Sequence, residues 1–346
     1  MTDVFETIII GGGPGGLACA AALAAAGRQV LVVERRQQIG AKVCAGGVTW
    51  SGLLARVPES LVERSFPAQH IFSNWQHLCI QEKNPIIATI NREKLGQWMA
   101  ADAIAKGAEI RCGTRAVAVT ATSITLQRQS GGHHTLRCHN LVGADGASSL
   151  VRRHLRLSAE KCGPGITYQL PGSYPDMEWH LHRRLFGCGY GWIFPHRDTL
   201  SIGAYCPAGS MSAATLKQNC CQWAKTRGFD LEREPCQAAL INSDYQGFHF
   251  GTTWLIGDAA GLASGLTGEG IYPAIVSGEE VAKSILNPGH HSSAIAKMVQ
   301  RQRLHQRVIS LGSHRPAAGW LLMEALALCL RAGLINFHLL EMGQTR

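Results

Sequence analysis

The chain has 346 residues, 46% of them apolar and 16% charged, a balance that can bury a sizeable core and excludes intrinsic disorder. Its net charge of +9 is unevenly placed: residues 1–150 carry +4, residues 151–285 are neutral and residues 286–346 carry +5, so the tail is the basic part. Twelve cysteines without a Cys-x-x-Cys pair predict reduced thiols and no metal site; with no signal peptide read at the start and no apolar stretch of the ~18 residues a membrane span requires, a cytoplasmic protein is expected.

Val4–Ile10 reads as a strand, followed by a glycine-rich turn, an alanine-rich helix over Gly15–Ala26 closed by Gly27, and a second strand over Gln29–Glu34. Such a βαβ start implies a parallel sheet. After the loop Gly40–Gly52 the pattern weakens until Asn91, which opens a helix running to Ala105 and stopped by Gly107. Glu109–Cys112, Arg115–Val119, Ile124–Arg128 and His134–Cys138 read as a small antiparallel meander, and Leu141–Ala144 as a separate buried strand. Strand-like patterns return in Trp179–Arg184, Gly191–Phe194 and Leu200–Tyr205, then a helix over Ala213–Arg227. Trp254–Gly257 is a further buried strand. It feeds the glycine-rich Ala259–Gly270 and a helix to about Ile285, after which the tail is helical.

The motif Gly11-x-Gly13-x-x-Gly16, with Pro14 and Gly15 inside it, falls between the first strand and the first helix. Glycines there let the backbone approach a pyrophosphate at the helix N-terminus, where free N–H groups and the dipole favour an anion. Glu34 ends the next strand, where its carboxylate can accept ribose hydroxyls, and Arg35 beside it can reach a phosphate or simply be solvated. Two more glycine-flanked aspartates, Asp145 and Asp258, end buried strands and so face the crevice at the carboxyl edge of the sheet. Either alone would read as a helix cap.

Together these motifs resemble the glutathione-reductase-type FAD fold, in the branch containing p-hydroxybenzoate hydroxylase. In that family the second aspartate, here Asp258, binds the ribityl chain, and the turn Thr267-Gly268-Glu-Gly270-Ile271 lies under the flavin pyrimidine. Arg92 matches an arginine that this branch places near the cofactor. Two local motifs are similar to those of the geranylgeranyl reductase family. One is Lys42-Val-Cys44-Ala-Gly46-Gly47, in which Ala45 replaces a glycine; the other is Tyr190-Gly-Trp192-Ile-Phe-Pro195. The resemblance covers roughly Val4–Ile285. It implies a Rossmann-like α/β FAD-binding domain (residues 1–65, 91–157 and 251–286) with an inserted antiparallel-sheet substrate domain (66–90 and 158–250) and a helical C-terminus (287–346).

The implied activity is reduction of carbon–carbon double bonds in an apolar, isoprenoid-like substrate by hydride from reduced flavin. Cys44 is the candidate proton donor or thiol contact. Tyr190 and Trp192 join Cys44 as catalytic candidates; they alternate onto one strand face, where they suit an apolar substrate wall as well as ordinary sheet packing. A single GxGxxG leaves no second nicotinamide domain, so electrons come from docking NAD(P)H or from a separate redox partner protein. A hydroxylase or halogenase of the same branch is the rival. Against it, Gly261 stands where many hydroxylases have His, and no catalytic lysine can be placed. A non-enzymatic FAD electron carrier is the second rival, and would lack a substrate cavity. His180-x-His182 could pair on a metal, but no third ligand is near in sequence. The basic, apolar C-terminal region could lie on an anionic bilayer or form a solvated helical core. Nucleic-acid binding lacks a recognisable module.

Overall fold

A computed structural model describes residues 4–343 apart from 41–43, 50–55, 84, 129–130, 315, 333 and 335–340. Strand Val30–Val33 is buried at every position, as expected for a strand covered on both faces. It lies in a sheet of eight strands whose parallel centre runs Thr253–Leu255, His133–Gly143, Val4–Ile10, Val30–Val33, Glu109–Arg111. Two readings are corrected here. His133–Gly143 is one eleven-residue strand, which pairs antiparallel with Ser123–Arg128 on one side and parallel with Val4–Ile10 on the other. Glu109–Arg111 leaves the meander and extends the parallel edge beside Val30–Val33. Neither change is legible locally, because a strand's partner is chosen by tertiary packing.

The helices Pro14–Ala25 and Ile271–Leu286 cross at backbone contact. A Cβ on Gly278 would stand 2.2 Å from the carbonyl oxygen of Gly15, and one on Gly15 would stand 2.7 Å from that of Ala274. Below them, a Cβ on Gly16 would meet the Gly11 oxygen at 2.1 Å. Helix Arg92–Ala105 packs beside Pro14–Ala25, capped by Asn91, whose side chain accepts from Glu93 and Lys94.

A second sheet has seven strands in the order Gln237–Asn242, Cys162–Pro171, Thr199–Tyr205, Tyr190–Pro195, Glu178–His180, Ala68–Phe72, His77–Gln81. The strand expected over Trp179–Arg184 stops at His180, where a helical turn Arg183–Phe186 takes over. Along Tyr190–Pro195 the period of two divides the sheet. Ile193 packs with helix Ala213–Thr226 through Leu216, Cys220 and Trp223, while Tyr190, Trp192 and Phe194 face the opposite way. A three-stranded sheet, Gly47–Thr49, Ile87–Ile90 and Val62–Phe66, lies between the two larger ones in the chain.

Helices Ser293–His314 and Pro316–Arg331 form the tail. Gln302 donates to the carbonyls of Gly261 and Ala263 at 2.6 and 2.9 Å. The buried Glu324 carboxylate accepts from Ser73, Gln76 and the Asn74 amide, which ties the last helix to the turn between Ala68–Phe72 and His77–Gln81. Arg152 is the largest fully buried side chain among the described residues, and donates to the carbonyls of Ser158, Ala259 and Asp244.

The helix crossing yields the first prediction. Gly278→Ala puts a methyl group against rigid backbone, so it should destabilise the protein by about 1–3 kcal/mol or more in denaturant unfolding. Gly209→Ala, which meets nothing within 4 Å, should lose only the smaller cost of a left-handed backbone.

Candidate functional site

Three parallel strands end at one edge of the sheet, in the registers Ile10 opposite Gly143 and Gly143 opposite Leu255. Each runs into a glycine-bearing turn followed by a helix, starting at Pro14, Leu150 and Gly257. A cavity of about 880 Å³ begins between these turns and continues to the aromatic face of the seven-stranded sheet. Gly11, Gly13, Pro14, Gly15, Glu34, Arg35, Arg92, Asp145, Asp258, Gly268, Gly270 and Ile271 all line it, as do Cys44, Tyr190 and Trp192. Gly16 does not. It is buried against the Gly11 carbonyl, so what its missing side chain permits is the close start of the helix.

The polar atoms at the strand edge are suited to an anionic dinucleotide. A Cβ on Gly13 would meet nothing within 4 Å, and no side chain caps the helix there, so its first N–H groups are left without a side-chain partner. Glu34 accepts the Gly12 amide at 2.8 Å through Oε2 and the Arg36 amide at 2.9 Å through Oε1. The carboxylate thereby fixes the glycine turn, and each oxygen keeps a lone pair for a ribose hydroxyl. Arg35 is exposed at the mouth of the cavity. Asp145 accepts the Leu150 amide at 2.6 Å through Oδ2, while its buried Oδ1 has no partner, and burial holds the carboxyl above the usual range. Arg92 likewise has a buried Nη1 without a partner. Burial lowers its pKa, opposed by Cys44 and Asp258 nearby. Unpartnered buried polar atoms are rare and expensive, so these two fit a ligand that completes them.

At the far end the cavity wall is built differently. Tyr190 donates its hydroxyl to the Thr267 carbonyl at 2.5 Å, and Tyr205 donates to that of Gly265 at 2.8 Å. Burial pushes both phenols well above their usual range, so these hydroxyls hold the turn Ser264–Gly270 in place as neutral donors. Trp192 donates Nε1–H to Ser201 at 3.1 Å and lies over Gly203, where a Cβ would come within 2.4 Å of its ring. Its ring is therefore both sheet packing and cavity wall. The half-buried Cys44 accepts the Gly46 amide at 3.3 Å on its sulfur. His196 bridges the Ala45 carbonyl and the Glu63 carboxylate at 3.0 and 2.6 Å, which pins the Cys44 loop and holds Glu63 below its usual range. Lys42 and Val43 of the same motif lie outside the described residues.

Several residues on this cavity were not singled out from the sequence. Glu269 and Glu341 line it, together with Leu330 from the last helix. An acidic residue between the glycines of Thr267–Gly270 was a readable signal; Leu330 and Glu341 gave none, since only packing brings the tail here. His180 is bound to Glu178 at 2.8 Å rather than paired with His182 on a metal, and no group of three metal-ligating side chains exists among the described residues.

Residues 4–170 match the FAD-binding domain family. A digeranylgeranylglycerophospholipid reductase of Methanocaldococcus jannaschii is 24% identical over 314 residues, spanning 82% of this chain and 78% of that protein. A geranylgeranyl diphosphate reductase of Rhodobacter capsulatus is 26% identical over 316 residues, spanning 82% and 75%. The fold is similar to that of a geranylgeranyl bacteriochlorophyll reductase-like protein of Thermoplasma acidophilum, with a TM-score of 0.77 at 19% identity over 89% and 88% of the two chains. The chain is an FAD-dependent oxidoreductase similar to the geranylgeranyl reductases. FAD is its cofactor. The fold is shared more widely: the flavin-dependent brominase Bmp2 is similar with a TM-score of 0.71 at 16% identity, over 95% and 90% of the chains.

The open space at Gly13 yields a test of where the pyrophosphate sits. Gly13→Val should cost the apoprotein about 1 kcal/mol at this cap, yet fill the ground above the helix N-terminus. FAD retained after reconstitution, read from flavin absorbance, should fall by about tenfold or more, the equivalent of about 1.4 kcal/mol of binding.

Proposed function

We propose that this enzyme reduces carbon–carbon double bonds in a long apolar substrate of the isoprenoid type. The observation that carries the reading is the continuity of the cavity from the dinucleotide crevice into a chamber walled by Ile71, Trp179, Trp192, Ile241 and Leu330. Glu34, the first helix N-terminus, Arg92, Asp145 and Asp258 would hold the adenosine, pyrophosphate and ribityl portions of FAD. The bound cofactor, once reduced, supplies a hydride. The chain's own residues do the rest. Apolar walls gain roughly 25 cal/mol for each Å² of hydrocarbon they cover, which favours an extended prenyl chain. The same walls exclude water, and the Tyr190 and Tyr205 hydroxyls keep the Ser264–Gly270 turn rigid beside the reacting carbons. Electrons reach the site from NAD(P)H or a reduced carrier protein, since one dinucleotide fingerprint is present.

An exposed-edge electron carrier has no use for such a chamber, and Gly261 in place of histidine is unlike the oxygen-using hydroxylases. The deciding experiment is anaerobic. Chemically reduced enzyme mixed with a polyprenyl alkene should be reoxidised with formation of the saturated product and no oxygen consumed. Oxygenation of an aromatic substrate in air, with no anaerobic alkene reduction, would replace this reading with the hydroxylase one.

The substrate's source is part of the proposal. Among the described residues no helix is long and apolar enough to cross a membrane. Yet Leu321, Leu328 and Leu334 are exposed along the tail, Leu328 by 57%, and Trp75 is exposed by 63% on the turn that Glu324 clamps. On the preceding helix, exposed Leu304 and Leu311 alternate with exposed Lys297, Arg303 and Arg307. Leucines flanked by cations complement an anionic bilayer surface. Co-sedimentation with anionic vesicles should fall at least about fivefold in Leu321→Asp/Leu328→Asp, roughly 1 kcal/mol of binding, with FAD content kept. Unchanged sedimentation would show that the tail's outer face meets no membrane.

A further inference from the structure

We propose that Glu269 is the acid that protonates the second carbon of the double bond being reduced. The inference rests on the alkene-reductase reading above and names the source of the proton that reaction consumes. Glu269 belongs to the turn that closes the cavity over the cofactor crevice. A Cβ on its neighbour Gly270 would lie 3.1 Å from Asp258 Oδ1, and one on Gly268 would lie 3.5 Å from the Tyr190 hydroxyl. Glu269 lines the same cavity as Tyr190, Leu266 and Leu330. The Met342 amide donates to Oε2 at 2.8 Å, so the carboxyl is held in one orientation by the tail rather than left to swing. A placed general acid needs that fixity.

The phenols of Tyr190 and Tyr205 are committed elsewhere. Tyr190 gives its proton to the Thr267 carbonyl and Tyr205 gives its own to Gly265. An ordinary glutamate would be of no use as an acid at neutral pH, because it would already be a carboxylate. Four groups face this one: Glu341 from the tail, Arg301 from the helix Ser293–His314, Tyr190 from its strand and Tyr272 from the helix Ile271–Leu286. Desolvation by the surrounding protein, reinforced by Glu341, raises the carboxyl to about 7 against the opposing Met342 amide and Arg301. The acid form is therefore well populated at the pH where the enzyme must work.

The step balances simply. One C–H bond forms with the hydride from the reduced cofactor. The π electron pair takes the Glu269 proton for the other, the carboxyl O–H bond breaks, and its electron pair stays on the carboxylate. A solvent proton then restores the acid.

The test begins without substrate. In FAD-loaded enzyme, infrared difference spectra between the wild type and Glu269→Gln should contain a carboxylic-acid band that titrates with a midpoint at about 7. Glu341→Gln, which removes the like charge, should move that midpoint down. Single-turnover measurements follow: anaerobic reoxidation of reduced Glu269→Gln by a polyprenyl alkene should be slower by about a hundredfold, with flavin loading unchanged. Glu269→Asp, which keeps an acid, should recover part of the rate. Absence of the titrating band, or equal rates in Glu269→Gln and wild type, would overturn the proposal while leaving the reductase reading intact. Loss of rate confined to Cys44→Ser would transfer the role to the thiol and overturn it too. Wild-type enzyme that reduces no alkene would bring down the reading and the proposal together.

Discussion

The architecture depends on how closely two helices and three strand ends approach one another around the crevice. Where Pro14–Ala25 crosses Ile271–Leu286, carbonyl oxygens of one backbone occupy the space a side chain on the other would need, at Gly15 and Gly278. The crossing brings the residue that opens the second helix, Ile271, and the turn before it to the same cavity as the first glycine loop. Asp258 and Gly270 then come into contact range, and the cavity floor is continuous. A single methyl group in this seam would separate parts of the chain that lie more than two hundred residues apart.

Around that seam, buried polar groups act as fasteners between loops. Arg152 joins the segment after the Asp145 turn to the Ala259 and Asp244 carbonyls, with three charge-assisted hydrogen bonds. Glu34 spends part of its carboxylate on the amides of Gly12 and Arg36. His196 and Glu63 do the same for the loop carrying Cys44, and the ring fills the space that a Cβ on Gly46 would need. Because the backbone of each ligand-facing turn is satisfied from behind, the face toward the cavity stays open. Buried polar atoms of Asp145, Arg92 and Thr49 are left without partners, and all three residues line it.

The substrate end is governed by the period-two alternation of one strand. Gly191 and Ile193 serve the core under helix Ala213–Thr226, where a Cβ on Gly191 would strike Phe186 and Trp223. Tyr190, Trp192 and Phe194 serve the chamber. Tyr190 and Trp192 were read as candidates for chemistry, yet their polar atoms are engaged by Thr267 and Ser201. Their contribution to the site is shape, dryness and the position of the turn that bears Glu269.

Local chemistry made much of this legible beforehand. A glycine turn between a strand and a helix, an acid at the end of the next strand, and two aspartates in glycine frames each signal a backbone geometry, and geometry of that kind is encoded within a few residues. The alternation of Tyr190 and Trp192 is equally local. What lies between distant segments was not readable. Whether His134–Cys138 and Leu141–Ala144 were one strand or two depended on Val4–Ile10 pairing across both. Glu109–Arg111 found its place beside Val30–Val33 only because that edge was free in the assembled sheet. The state of Glu269 is decided in the same way: the glutamate itself is ordinary, and its raised pKa comes from burial and from Glu341 on a tail that docks more than seventy residues later. Sequence determined which backbone turns and which side chains could meet a dinucleotide, since those are properties of short segments. Tertiary structure alone decided which acids are desolvated and which walls are dry, because solvent is excluded only by parts of the chain that are remote in sequence.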